Sequence, residues 1–175
     1  MRWMSCVIKA HLPVIYAQGG PFLAQTRGAM VSAFLETYPT KDYLLITDTD
    51  MIFTNNDIAR LHEHEADIVG GIYSISGDPA KLCAGYWDSG ALIDAPPGIT
   101  KEVDYIGTGF LMVNRRVFEK IGEHGWFDYM YNPDRPEVQI GEDLSFCHRV
   151  QDAGFKIILD TTVRLGHCKT EILQP

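Results

Sequence analysis

The stretch that most constrains this chain is Tyr43-Leu44-Leu45-Ile46-Thr47-Asp48-Thr49-Asp50-Met51-Ile52-Phe53, an apolar run that breaks at two acids and then resumes. Five residues of that composition leave no room for a helical period and read as a buried strand of a parallel sheet. Asp48 and Asp50 fall where the strand should end, and in open α/β sheets that end is where ligands bind. Side chains on a strand repeat every second residue, so the expectation is two carboxylates pointing the same way at the rim of a crevice. Like charges so placed repel unless a cation sits between them. A hard divalent ion, Mn²⁺ or Mg²⁺, satisfies such a pair, with phosphate oxygens completing its shell.

Around this stretch, strands and helices alternate. Cys6 to Ala17 is apolar and β-branched apart from Lys9, His11 and Pro13, which suggests a strand interrupted at the proline. Gln18-Gly19-Gly20 turns the chain, and Pro21 suits the first position of a helix that Tyr38-Pro39 stops. Asn55 or Asn56 can cap a short helix burying Ile58 and Leu61, and Asp67 to Tyr73 reads as the next strand. Ser74 to Thr100 reads as loops with a short hairpin. Phe110 to Val113 forms a strand after Gly107-Thr108-Gly109, and Asn114 caps a helix ending at Gly122. A polar loop follows Trp126-Phe127 as far as Ile140. A helix from Glu142 to Ala153 then closes on Gly154, a strand covers Lys156 to Leu159, and Val163 to His167 forms a last strand or loop. The alternation predicts one α/β domain over residues 1–175, a mixed, mostly parallel sheet flanked by helices.

Composition narrows the partners. A formal charge of −8 lacks the Lys/Arg surplus that nucleic acid or an anionic membrane demands, and makes an anionic substrate awkward without a metal. No run of 18 apolar residues occurs, and Met1-Arg2-Trp3-Met4 precedes too short an apolar stretch for a signal peptide, so a soluble cytoplasmic protein is expected. Cys6, Cys83, Cys147 and Cys168 show no metal-binding spacing, so reduced thiols are expected. His62 and His64, two apart on a helix, face different ways and read as a solvated surface. Glu142 and Asp143 open a helix, where carboxylates compensate the dipole. Trp87, Tyr105 and Trp126 offer flat faces either to sugar rings or to the core.

Four features in order carry a resemblance: Asp48-Thr49-Asp50 after a hydrophobic strand, Gly107-Thr108-Gly109-Phe110, Gly141-Glu142-Asp143, and the late His167. Together they resemble the metal-dependent GT-A glycosyltransferases, in particular the short bacterial and phage members. The resemblance implies a GT-A-like, Rossmann-like domain that moves a hexose from a nucleotide diphosphate donor, most commonly a UDP-sugar such as UDP-glucose, to a hydroxyl acceptor. It implies Asp50, His167 and Asp48 as the metal site for Mn²⁺ or Mg²⁺, Asp50 and His167 as direct ligands and Asp48 reaching the ribose or a metal-bound water. Arg27, Asp48, Thr49, Gly107, Thr108, Gly109 and Lys169 would hold the donor, while Asp143 or Glu142 would serve as general base for an inverting transfer. The family's Ala-Arg-Asn segment is matched here only in part, by Thr26-Arg27-Gly28, and family members begin with a strand and helix before the segment corresponding to Cys6. The expectation is an abbreviated start, with the nucleotide gripped mostly through metal and diphosphate.

A helix start also lowers a carboxylate's pKa, which weakens it as a base unless burial offsets the effect. Two other functions fit parts of the pattern. A haloacid-dehalogenase-like phosphohydrolase would use an Asp-x-Asp as nucleophile and acid, though that pattern prefers Thr or Val where this chain has Ile52. A non-catalytic nucleotide- or sugar-binding module fits the shortened start.

Overall fold

The computed structural model describes residues 12–17, 22–75, 81–92, 94–122, 125–132 and 135–168. In chain order these form α1 (Leu23–Thr37), β1 (Tyr43–Thr47), β2 (Met51–Ile52), α2 (Asn55–Glu63), β3 (Ile68–Ile72), β4 (Ala84–Tyr86), β5 (Gly90–Ala91), β6 (Thr100–Val103), β7 (Tyr105–Ile106), β8 (Phe110–Asn114), α3 (Arg115–Ile121), β9 (Met130–Asn132), β10 (Arg135–Ile140), α4 (Glu142–Asp152), β11 (Ile157–Arg164) and β12 (Gly166–His167). The expected strand over Cys6–Ala17 lies partly outside the described residues, and Leu12–Ala17 has no regular secondary structure. The expected turn at Gln18-Gly19-Gly20 lies outside them too.

The class is α/β with a mixed sheet, in the order β1-β8-β3-β11-β6. Within it, among the described residues, only β3 and β11 pair in parallel, while β1–β8, β8–β3 and β11–β6 are antiparallel, so the sheet is not mostly parallel in its hydrogen bonding. Because β8 lies antiparallel to both β1 and β3, those two strands and β11 all point the same way. Their carboxyl ends, together with the amino end of β8, meet on one rim. An apolar strand such as Phe110–Val113 carries no directional information, which is why its insertion between β1 and β3 escapes sequence reading. The span 74–100 does contain a hairpin, β4–β5, which joins β7 in a small three-stranded sheet. The expected polar loop before Ile140 is instead the two-stranded ribbon β9–β10.

Phe118 on α3 lies edge-on to Phe34 of α1 and to Trp126, and against Phe146 of α4, which in turn stacks on Phe127. Trp126 is buried and donates its Nε1–H to Phe118 O, so it belongs to the core rather than to a sugar platform. Helix α2 is capped by Thr54, one residue before the expected Asn55. Its hydroxyl accepts from Asp57 N, while Asp57 Oδ2 accepts from Thr54 N at 2.7 Å, a reciprocal box. His64 is not on a solvated face: its Nε2 lies 2.8 Å from Asp160 Oδ2, fastening the end of α2 to β11. Burial would raise Asp160, but hydrogen bonds from His64 and Thr162 outweigh it and hold that carboxyl below its usual range. None of the described helices is long and apolar enough to cross a membrane.

Arg115 fixes α1 against the sheet. Its guanidinium donates to the carbonyls of Tyr38 and Lys41 and more weakly to Phe34 and Leu35, and it lies 4.6 Å from the Phe34 ring centroid. Helix C-termini leave carbonyls without intrahelical partners, and a cation there satisfies both the hydrogen bonds and the dipole. Arg115→Ala is expected to destabilise by roughly 2 kcal/mol and lower Tm by about 4–8 °C in thermal denaturation, with Arg115→Lys recovering only part. Asp160→Asn should cost stability at neutral pH. The wild-type advantage over it should shrink as pH falls through the depressed Asp160 pKa, because a lowered carboxylate stabilises only while ionised.

Candidate active site

At the carboxyl end of β1 the chain leaves extended geometry before the second acid. Met51 N donates to Asp48 O at 3.2 Å, closing a turn over Asp48-Thr49-Asp50-Met51. The two acids therefore do not follow strand alternation, and their side chains do not share one partner. Asp48 Oδ1 lies 3.4 Å from Arg27 Nη2, and its backbone N–H donates to Gly109 O at 3.0 Å. Asp50 meets the end of the chain, its Oδ2 lying 3.1 Å from His167 Nε2 across 117 residues of sequence. Thr49 is exposed at the tip of the turn.

His167 reaches Asp50 because β12 pairs antiparallel with β2, His167 opposite Met51, and Cys168 N donates to Asp50 O at 2.8 Å. Its other ring nitrogen, Nδ1, lies 2.9 Å from the carbonyl of Ser74. A carbonyl only accepts, so Nδ1 carries the hydrogen. Nε2 then faces a carboxylate, an arrangement that is favourable when a proton or a cation neutralises the meeting. Among the described residues no group of three or more His, Cys, Asp or Glu side chains is arranged to hold a metal, so Asp48 does not complete a protein-only cage.

Arg27 is 8% exposed and binds two acids, Asp48 through Nη2 and Glu142 through Nη1. It thereby ties α1 to the end of β1 and the start of α4. Glu142 is committed to this ion pair, which separates it from Asp143 in character. Asp143 Oδ1 accepts from Leu144 N at 2.8 Å at the first turn of α4. Burial pushes its pKa up, and Glu142 beside it adds to the rise; the Leu144 N–H and Arg27 pull the other way without reversing it. Of the two opposed effects at this helix start, desolvation wins.

Gly107, Thr108 and Gly109 are buried where they enter β8, and Gly109 O meets the first acid by accepting from Asp48 N. Thr108 Oγ1 is buried and without a hydrogen-bond partner among the described residues. A residue overlooked in the sequence, Tyr73, stands directly beneath this loop: its Oη accepts from Gly109 N at 3.0 Å and its ring meets His167 edge-on at 5.5 Å. Burial, with smaller pushes from Cys83, Asp48 and Asp143, raises the phenol well above its usual range. The available signal was positional, because Tyr73 immediately follows β3, one of the strands whose carboxyl ends build the rim. Lys169 lies outside the described residues. Trp87 stacks on His148 of α4 at 4.0 Å and tilts against Tyr105 at 5.0 Å, so its ring is engaged within the chain.

No family model and no curated protein matches the sequence. Among solved structures, A197 from STIV aligns over 97% of this chain and 79% of its own, with a TM-score of 0.70 and 16% identity. GalNAc-T7, solved with UDP, GalNAc and Mn²⁺, aligns over 83% of this chain and 30% of its own, with a TM-score of 0.53 and 15% identity. At such identities the likeness speaks to architecture alone. The chain has a mixed α/β fold of the GT-A type.

Proposed function

We propose that this protein is a divalent-cation-dependent glycosyltransferase that takes a hexose from a nucleotide diphosphate sugar, with a UDP-sugar as the leading donor, and gives it to a hydroxyl acceptor. The observation that carries the reading is the meeting of Asp50 and His167 at the rim formed by co-directional strand ends. Neighbouring ligands of a six-coordinate ion at about 2.1 Å lie roughly 3 Å apart, comparable to the 3.1 Å between Asp50 Oδ2 and His167 Nε2. The donor set of one carboxylate and one imidazole suits Mn²⁺ better than Mg²⁺. Asp50 and His167 would hold the ion, and donor phosphates would supply further ligands. When bound, the ion would act as a Lewis acid toward the negative charge growing on the departing diphosphate. The presence of UDP, GalNAc and Mn²⁺ in a structure of the same architecture is consistent with this chemistry.

The remaining residues take roles that follow from their contacts. Arg27 holds Asp48 at the end of β1, where Asp48 can meet the ribose, and Thr49 lies exposed at the turn beside it. Gly107 to Gly109 would press backbone against the donor sugar. Asp143, partly desolvated and raised in pKa, is the better general base for the acceptor hydroxyl, while Glu142 keeps Arg27 neutralised.

Incubating the protein with Mn²⁺ and a panel of UDP-, GDP- and ADP-sugars tests the reading by nucleoside diphosphate release. Saturable binding without release would mark a binding module instead, and cleavage of simple phosphate esters a phosphohydrolase. Asp50→Ala and His167→Ala should each reduce Mn²⁺-dependent release at least ~100-fold while circular dichroism is unchanged. Full activity in either variant would place the chemistry elsewhere.

Asp143→Asn should lower kcat by about 10²–10⁴ and abolish the acidic limb of the pH profile, which in the wild type should begin above the ordinary carboxylate range. The sign for stability is opposite to that of Asp160. A raised carboxyl favours the folded state while protonated and loses that contribution as pH rises through its folded pKa, so Asp143→Asn should be no less stable than wild type at pH 7.

A further inference from the structure

Tyr73 touches both halves of the site, yet none of the four sequence features includes it. Its phenol oxygen accepts the Gly109 N–H at 3.0 Å. A side chain at Gly107 would begin 2.5 Å from that oxygen and one at Gly109 would begin 2.7 Å from it, so the hydroxyl fills the space that both glycines leave open. Glycine in this loop is therefore required by a partner inside the protein, independently of any ligand outside it. The Thr108 hydroxyl adds no hydrogen bond to hold the loop among the described residues. On its other side the Tyr73 ring stands at 83° to the His167 imidazole, whose Nδ1 is bonded to the carbonyl of the very next residue, Ser74. Residues 73 and 74 together thus set the imidazole plane and tautomer, and Tyr73 holds the loop backbone alongside two backbone hydrogen bonds, Gly107 N to Cys83 O at 2.6 Å and Asp48 N to Gly109 O at 3.0 Å. The backbone of Tyr73 is fixed in turn by Cys83 N, which donates to its carbonyl at 3.0 Å.

We infer that Tyr73 is a positioning residue that locks the Gly107–Gly109 loop and His167 into one rigid body, so that the loop facing the donor sugar and the imidazole facing the cation cannot shift independently. This deepens the glycosyltransferase reading and rests on it for the identity of the ligands, but the locking itself is a property of the protein. The hydroxyl serves the loop and the ring serves the imidazole, which makes the two functions separable by substitution.

The test uses Tyr73→Phe, Tyr73→Leu, Gly107→Ala and the double variant Tyr73→Phe/Gly107→Ala in the full chain. Amide hydrogen exchange at Gly109 should quicken about ten-fold in Tyr73→Phe, because that N–H loses its acceptor. Mn²⁺ affinity measured with UDP present should stay within about two-fold in Tyr73→Phe and fall about ten-fold in Tyr73→Leu, where the imidazole loses its neighbour. Donor turnover in Tyr73→Phe should drop about ten-fold, in kcat or KM, at unchanged cation affinity. Gly107→Ala should be strongly destabilising alone and much less so when combined with Tyr73→Phe, because the next contacts of the new methyl are then at 3.5 Å. Unchanged Gly109 exchange in Tyr73→Phe, or additive effects of the two substitutions on Tm, would overturn the proposal. Exchange and thermal coupling need no turnover. A wild-type protein inert toward every nucleotide sugar would therefore sink the glycosyltransferase reading while these two measurements still decide whether Tyr73 locks the loop.

Discussion

The arrangement depends first on where a buried guanidinium can find its counter-charges. Arg27 lies on α1, almost wholly out of water, and a charge so placed is tolerable only if it is paired. Its two partners, Asp48 and Glu142, come from the end of β1 and the start of α4, so one neutralised cation joins three elements distant in sequence. The far end of the same helix is held by Arg115, which donates to the carbonyls of Phe34 and Leu35 in its last turn and of Tyr38 and Lys41 beyond it. Helix α1 is thus pinned at two points by arginines with different tasks, one balancing acids and one completing backbone hydrogen bonds. The candidate site inherits its shape from that double attachment.

Opposed effects at single groups decide the site's chemistry. Asp143 sits at a helix start, which favours its charged form, but desolvation prevails and its proton is held more tightly than usual. Asp160 shows the reverse balance: burial disfavours its charge, yet hydrogen bonds from His64 and Thr162 prevail. Two aspartates in one small fold are therefore poised oppositely: at Asp143 burial and the neighbouring Glu142 outweigh the donors, and at Asp160 the donors outweigh burial. The former suits proton transfer, the latter structural anchorage.

Much of this was legible in the residues. The run Tyr43–Thr47 could only be a short strand, Asn114 and Gly122 do begin and end α3, and the α/β alternation holds. The resemblance implied Asp50 and His167 as ligands of one ion, and the two lie 3.1 Å apart, although nothing local to either residue required it. Other features depend on long-range geometry that periodicity does not encode. The antiparallel insertion of β8 is one, since an apolar strand reads alike in either direction. The turn that sends Asp48 and Asp50 to different partners is another, because alternation holds only while the backbone stays extended. The ribbon β9–β10 was hidden by exposed, polar, proline-bearing residues that resemble a loop. Tyr73 was missed because a tyrosine after a strand is ordinary until the glycines above it are seen to be shaped around its hydroxyl.

That split between the two acids has a thermodynamic corollary. With Asp48 drawn toward Arg27 and no group of three metal-holding side chains among the described residues, an incoming ion finds Asp50 and His167, too few to hold it firmly unaided. On the proposed reading the rest of the coordination sphere travels in with the pyrophosphate. Ion and nucleotide must then each tighten the other's hold by the same factor, a reciprocal linkage that makes loading and release a joint event. Cleavage that carries the diphosphate away would dissolve the same partnership, so turnover itself would reset the cleft.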